Sequence, residues 1–190
     1  SKRETWITCE IRGNVREITK PPVSIKFLPL NCPYPTCRTY DYENGESFYL
    51  YFNSPVKGYL SIYMGGDDSH VYRLLPYKSM QEPYINSVPV DSDKEYVFFT
   101  SGEKYNYFTD VSYQQVDELV MEAEKDQEIM VLYIIFSPTE YARPRLTGTE
   151  GDVTDVPRFL EKNNFEEWLQ DNRIFNPDFI FNQVSLTVTK

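Results

Sequence analysis

The residues of this chain best suited to metal or nucleophilic chemistry are three cysteines and one histidine, and their spacing speaks against both chemistries. Cys9, Cys32, Cys37 and His70 have the donor types of a tetrahedral zinc site. No C-x-x-C pair anchors such a site, and the four residues are scattered. Cys32 and Cys37 bracket the proline-rich run CPYPTC. The three thiols permit one disulfide with one thiol left over, a pattern that allows an oxidising compartment without fixing the pairing. His70 follows GGDDS at the start of an apolar run. To act as a base it needs an activated partner, and no G-x-S-x-G, Q-A-C or C-G-x-C-W pattern supplies one. Its position fits a solvent-facing strand residue.

The acidic residues offer oxygen ligands. Asp67 with Asp68, and Asp91 with Asp93 and Glu95, have calcium-binding side chains, but neither set completes a loop motif and Lys94 interrupts the second. Turn chemistry accounts for these aspartates. Paired carboxylates for glycoside hydrolysis are defined by their separation in space, so 29 acids in the chain select no pair. The expectation is no catalytic residue, no metal and no cofactor.

A tyrosine set is more distinctive. Phe48, Leu50 and Phe52 alternate with Tyr49 and Tyr51, and Leu60, Ile62 and Met64 alternate with Tyr59, Ser61 and Tyr63. Period-2 patterning met twice in succession predicts an antiparallel meander over residues 47–75, with turns at SPVKG and GGDDS. Tyr49, Tyr51, Tyr59 and Tyr63 then lie opposite the aliphatic face. They form either a second core layer beneath a helix or a binding face for a protein or a sugar ring.

The elements that would position these residues read mostly as strands. Ile7, Cys9 and Ile11 alternate before the turn signal Gly13-Asn14, VSIKFLPL offers a second strand, and residues 31–45 form a loop. EYVFFT, apolar on both faces, reads as a central strand, and EIMVLYIIFSP as the core strand. QQVDELVMEAEK fits helix and strand alike. Asp155 can cap a short turn before Pro157. Asn164 and Glu167 have capping-box spacing, and Phe165, Trp168 and Leu169 form an apolar helical stripe. Phe179 and Phe181, then Val184, Leu186 and Val188, alternate in two phases, which predicts a bulge near Asn182-Gln183. The nine residues Phe48, Leu50, Phe52, Leu60, Ile62, Phe98, Leu132, Ile134 and Phe136 are expected in one core.

A chain of 190 residues is long enough to bury roughly 70 per cent of its unfolded surface without a staple. Its 16 Tyr, 12 Phe and 2 Trp favour sheet. The net charge of −10 repels a phosphate backbone, so nucleic acid is not an expected partner. No apolar run approaches the roughly 20 residues that a spanning helix needs. The chain opens on Ser1, and a signal peptide, lipid anchor or domain upstream is not read from these residues.

Taken in order, KGYLSIYMGGDDSHVYRLLPY, EYVFFT, VDELVMEAEKDQEIMVLYIIFSP and FEEWLQDNRIFNPDFIFNQVSLTV resemble a bacterial family of domains of unknown function, family number 4384. The family has Gly-Tyr-Leu, Leu-Leu-Pro-Tyr and Ile-Phe-Ser-Pro signatures and recurs in exported or envelope-associated proteins of Bacteroidetes. The resemblance covers about residues 45–190 and leaves the three cysteines outside. It implies a β-rich module of a larger exported protein, carries no catalytic residues to transfer, and favours the strand reading of residues 116–123.

The expectation is a single domain over residues 1–190 of α+β, β-rich class: an antiparallel sheet or two-sheet sandwich with at least one docked C-terminal helix. Its expected role is a non-catalytic interaction module with a protein or glycan partner. Carbohydrate binding through the aromatic sheet face is the alternative, and a carboxylate-based hydrolase a distant third.

Overall fold

The computed structural model describes residues 23–66, 69–101, 116–145 and 159–190. The expected strand at residues 7–11, Cys9, Asp67-Asp68 and the Asp155 cap lie outside them. The described strands are β1 (Lys26–Leu30), β2 (Asp41–Glu43), β3 (Ser47–Asn53), β4 (Gly58–Gly65), β5 (His70–Leu75), β6 (Val88–Val90), β7 (Tyr96–Phe98), β8 (Leu119–Val120), β9 (Gln127–Ser137), β10 (Phe159–Glu161) and β11 (Ile180–Thr189). One α-helix, α1 (Lys162–Phe175), lies between the last two.

The strands build two sheets. The smaller has the order β1-β3-β7, with β8 also on β3; the larger has the order β10-β5-β4-β9-β11-β2, with β6 on β4. Their inner faces meet in the main core, where all nine residues predicted to share a core are found together. Phe52 of the small sheet meets Phe136 of the large sheet at 6.0 Å between ring centroids. The other face of the large sheet is covered by α1. The layer order is helix, large sheet, small sheet, and the class is α+β and β-rich.

The meander needs correcting. β4 and β5 pair as a hairpin, but β3 and β4 do not pair. β3 takes β1, β7 and β8 as neighbours, while β4 lies beside β9, β5 and β6. SPVKG therefore carries the chain from one sheet to the other. Alternation shows which residues of a strand share a face, and it reads the same whether the next strand pairs edge to edge or faces across a sandwich. Gly58 makes the close crossing possible, because a Cβ there would meet Phe136 Cζ and Ser137 O, both at 2.5 Å.

Three further expectations are revised. EYVFFT yields β7, which pairs only with β3 among the described residues; it is apolar on both faces because Tyr96 and Phe98 enter the main core while Val97 joins Leu30 and Tyr51 outside it. The strand stops where Phe99 takes a φ of 68°, its N–H donating to the Tyr77 hydroxyl at 2.9 Å. No bulge interrupts β11, whose register against β9 runs unbroken from Ile180 to Thr189. Its two hydrophobic phases reflect two covered faces: Phe179 and Phe181 pack under the helix, while Ile180, Val184, Leu186 and Val188 enter the main core. The helix begins two residues before Asn164 with Glu161 as an N-cap that makes no side-chain bond, so the capping box is not formed. The Lys162 N–H instead donates to Ser69 O at 2.7 Å.

β9 is a central strand, antiparallel to both β4 and β11. Within residues 116–123 the only regular element is β8. The helix docks by the expected stripe: Phe165 and Leu169 are buried and Trp168 is partly covered. Phe165 packs against Tyr63 at 5.0 Å and Tyr133 at 4.9 Å. The Asn176 amide pins the far end of the helix, donating to Ser137 Oγ at 2.9 Å and Thr139 Oγ1 at 3.0 Å.

Candidate functional site

The four tyrosines do not form one face. Tyr49 and Tyr51 sit on the outer side of the small sheet with Leu28, Leu30 and Val97. Tyr59 and Tyr63 lie on the opposite side of the molecule, in the cluster beneath the helix. The split follows from the crossing of SPVKG between sheets. Tyr51 is 3% exposed; its hydroxyl donates to Glu95 Oε1 at 2.8 Å, and Lys26 Nζ lies 5.3 Å from the ring centroid. Burial, and then the Glu95 hydrogen bond and charge, push its pKa up to about 12. Tyr63 is fully buried, and burial raises its pKa although the Arg73 and Arg143 guanidiniums pull it down. Tyr49 and Tyr59 are half-buried on their separate surfaces.

Among the described residues, the candidate metal-ligand and base groups are engaged in structural contacts. Cys32 and Cys37 are bonded to each other across a Cα separation of 5.5 Å, so neither offers a thiolate. Their loop holds Tyr34 54% exposed. His70 stands at the start of β5 with Nε2 3.2 Å from Glu161 Oε1 and its ring edge-on to Phe159 at 4.9 Å; it is half-buried at a strand pair, where the sequence suggested solvent. Glu95 accepts from Tyr51, Asp91 lies 3.6 Å from Lys57 Nζ, and Asp93 takes a turn φ of 57° with its N–H on Ser54 O at 2.7 Å. Turn formation and pairing thus occupy this acidic set.

Beneath α1 runs a buried polar seam. The Tyr141 hydroxyl bonds Ser61 Oγ at 2.9 Å and Ile135 O at 3.3 Å. Arg73, itself buried, pairs across strands with Tyr63 and donates to Ile85 O at 3.4 Å. Trp168 Nε1 donates to Ala142 O at 3.0 Å. The Trp168 bond ties the helix to the segment that follows β9.

A groove of about 710 Å³ lies between α1 and β11, lined by Asn163, Glu166, Glu167, Gln170, Asp171 and Gln183, with Leu169 and Phe181 supplying its apolar part. The five polar helix residues recur at three- and four-residue intervals, so they share one stripe. β11 contributes Phe181 and Gln183 because alternate strand residues face the helix. Leu169 is buried and Phe181 half-buried, while the six polar residues are exposed. Among the described residues none of the six makes a side-chain hydrogen bond or ion pair. Arg173 lies 5.5 Å from the Phe181 ring centroid. The Glu166 charge reaches the sheet, adding to burial in raising the pKa of Tyr133. Three carboxylates beside an apolar strip can hold a cationic or hydrogen-bonding group through complementary charge.

Sequence reading missed this groove. The polar stripe was visible as the helix face away from Phe165, but a helix face facing water has the same composition. Only the unbroken β11 register shows that Phe181 and Gln183 stand next to it.

No family model matches this chain, and neither a curated protein nor a solved structure does.

Proposed function

We propose that this chain is a non-catalytic interaction module of a larger exported or envelope-associated bacterial protein, of the kind that the family resemblance suggests. The observation that carries the reading is the α1–β11 groove, where six exposed polar side chains, bonded to no other side chain among the described residues, surround an apolar strip. A site of that composition suits recognition, since the apolar part supplies burial and the polar rim supplies orientation. The Cys32–Cys37 disulfide supports export, because such bonds persist in oxidising compartments.

Carbohydrate binding is the second reading. Its basis moves from the separated tyrosines to Phe181, whose ring stands among amides and carboxylates of the type that bond sugar hydroxyls. The test immobilises the intact chain, exposes it to envelope proteins and to a glycan array, and competes each signal with soluble chain. Saturable, competed protein capture is the expected result. Turnover of a glycoside substrate by the purified chain would overturn the non-catalytic reading. Rapid alkylation of Cys32 and Cys37 in the native, unreduced protein would remove the support for export.

A further inference from the structure

The edge of β11 that no described strand covers and the groove beside it form one surface, and we propose that it accepts an extended, basic segment of a partner protein as an added β-strand. The inference rests on the interaction-module reading and names its site and partner chemistry.

Backbone direction comes first. The Thr187 N–H donates to Tyr40 O at 2.8 Å, and Thr189 O accepts from the Asn44 N–H at 2.8 Å. Both groups therefore point away from β9. In a strand the N–H and C=O of one residue point the same way and reverse at the next residue. Phe181, Gln183 and Ser185 hence direct their backbone groups away from β9 as well. β2 covers this edge only from Thr187 to Thr189, and among the described residues no strand pairs with it from Ile180 to Leu186. Gln183 and Ser185 are exposed.

Proteins commonly block such an edge with lysine, proline or a bulge. The stretch from Ile180 to Leu186, IFNQVSL, has no lysine or proline, and its register against β9 is unbroken. An added strand here would place every second side chain on the helix side, in the groove. There it would meet Glu166, Glu167 and Asp171, with Arg173 over Phe181 as the nearby cation. The charge balance favours lysine or arginine at alternate positions of the partner, in keeping with the chain's net charge of −10. A sugar could use the groove side chains but would leave most of the aligned backbone groups unused.

The test titrates the intact chain with a fluorescent peptide of about ten residues in which lysine alternates with valine, and maps amide shifts by NMR. Saturable, salt-weakened binding with shifts at Phe181, Gln183 and Ser185 is expected. Gln183→Pro removes an outward N–H while sparing the β9 ladder, and should abolish binding. Glu167→Lys with Asp171→Lys changes only exposed helix positions and should weaken binding roughly tenfold; it reports even if Gln183→Pro fails to fold. Unchanged binding in the charge-reversed chain, equal binding of a glutamate–valine peptide, or no peptide binding overturns the proposal. Shifts of the same amides by a soluble oligosaccharide in place of the peptide overturn it in favour of a sugar. If an envelope partner captured by the wild-type chain is retained by both variants, the strand-addition site falls and the interaction-module reading stands.

Discussion

Two buried tyrosines in the layer beneath the helix should respond in opposite directions to loss of a hydroxyl. The Tyr63 hydroxyl is buried and has no hydrogen-bond partner among the described residues, so Tyr63→Phe removes a desolvated polar group and should leave stability unchanged or raise it by up to about 1 kcal/mol. Tyr141→Phe deletes bonds to Ser61 and Ile135 and should cost about 1 to 2 kcal/mol. Urea midpoints of the two variants check the contrast, and equal losses would contradict it. Alkali probes the wider set. Burial raises the pKa of Tyr42, Tyr51, Tyr63, Tyr77, Tyr96, Tyr133 and Tyr141 above the ordinary value of 10.0. Below pH 10 both folded and unfolded chains keep these protons, and the stabilisation is whole. Above it the unfolded chain loses protons that the folded chain retains, so stability should fall from about pH 10 through about 12. Tyrosinate absorbance in native protein should correspondingly lag behind that in urea. Of this residue-scale picture, the core aromatics were legible from alternation, whereas the Ser61–Tyr141 bond joins loop to strand and left no pattern.

At the scale of elements, legibility followed periodicity. β9 and the Phe165–Leu169 stripe were readable because their patterns are long or strongly one-sided. The partner of β3 was not, since pairing depends on which edges meet in space. The β11 phase change was visible, but a chain covered on two sides looks like a bulged chain covered on one. The sheet crossing after β3 can be tested at Gly58, where an added methyl collides with a backbone oxygen and the Phe136 ring. Gly58→Ala should cost about 1 to 3 kcal/mol, measured by chemical denaturation; a neutral result would show that the two strands have slack. Phe165→Ala opens the aromatic cluster formed with Tyr63, Tyr133 and Trp168. A loss of about 3 to 5 kcal/mol, with red-shifted Trp168 emission, is expected.

For the molecule as a whole, the layered α+β class was legible from composition and strand count, while the groove arises only where helix and last strand meet. The disulfide stands apart from that architecture. Cys32 and Cys37 are five residues apart, and closing so short a loop constrains the unfolded chain by about 2 kcal/mol. Replacing both with serine should lower stability by no more than that and leave the far-UV circular dichroism unchanged; collapse of the fold would show that the loop does more than brace Tyr34. β2 and β11 tell a different story. They pair in parallel within the large sheet, joining an earlier segment of the chain to a later one. A ribosome or translocon delivers the chain from its amino end, so β9 must wait with one edge bare while the helix and then β11 emerge. The early strand at Asp41–Glu43 has no place in the sheet until β11 arrives. Completion of the sheet is therefore tied to the emergence of β11, and until it emerges the outer edge of the core strand β9 stays open to pairing with other chains.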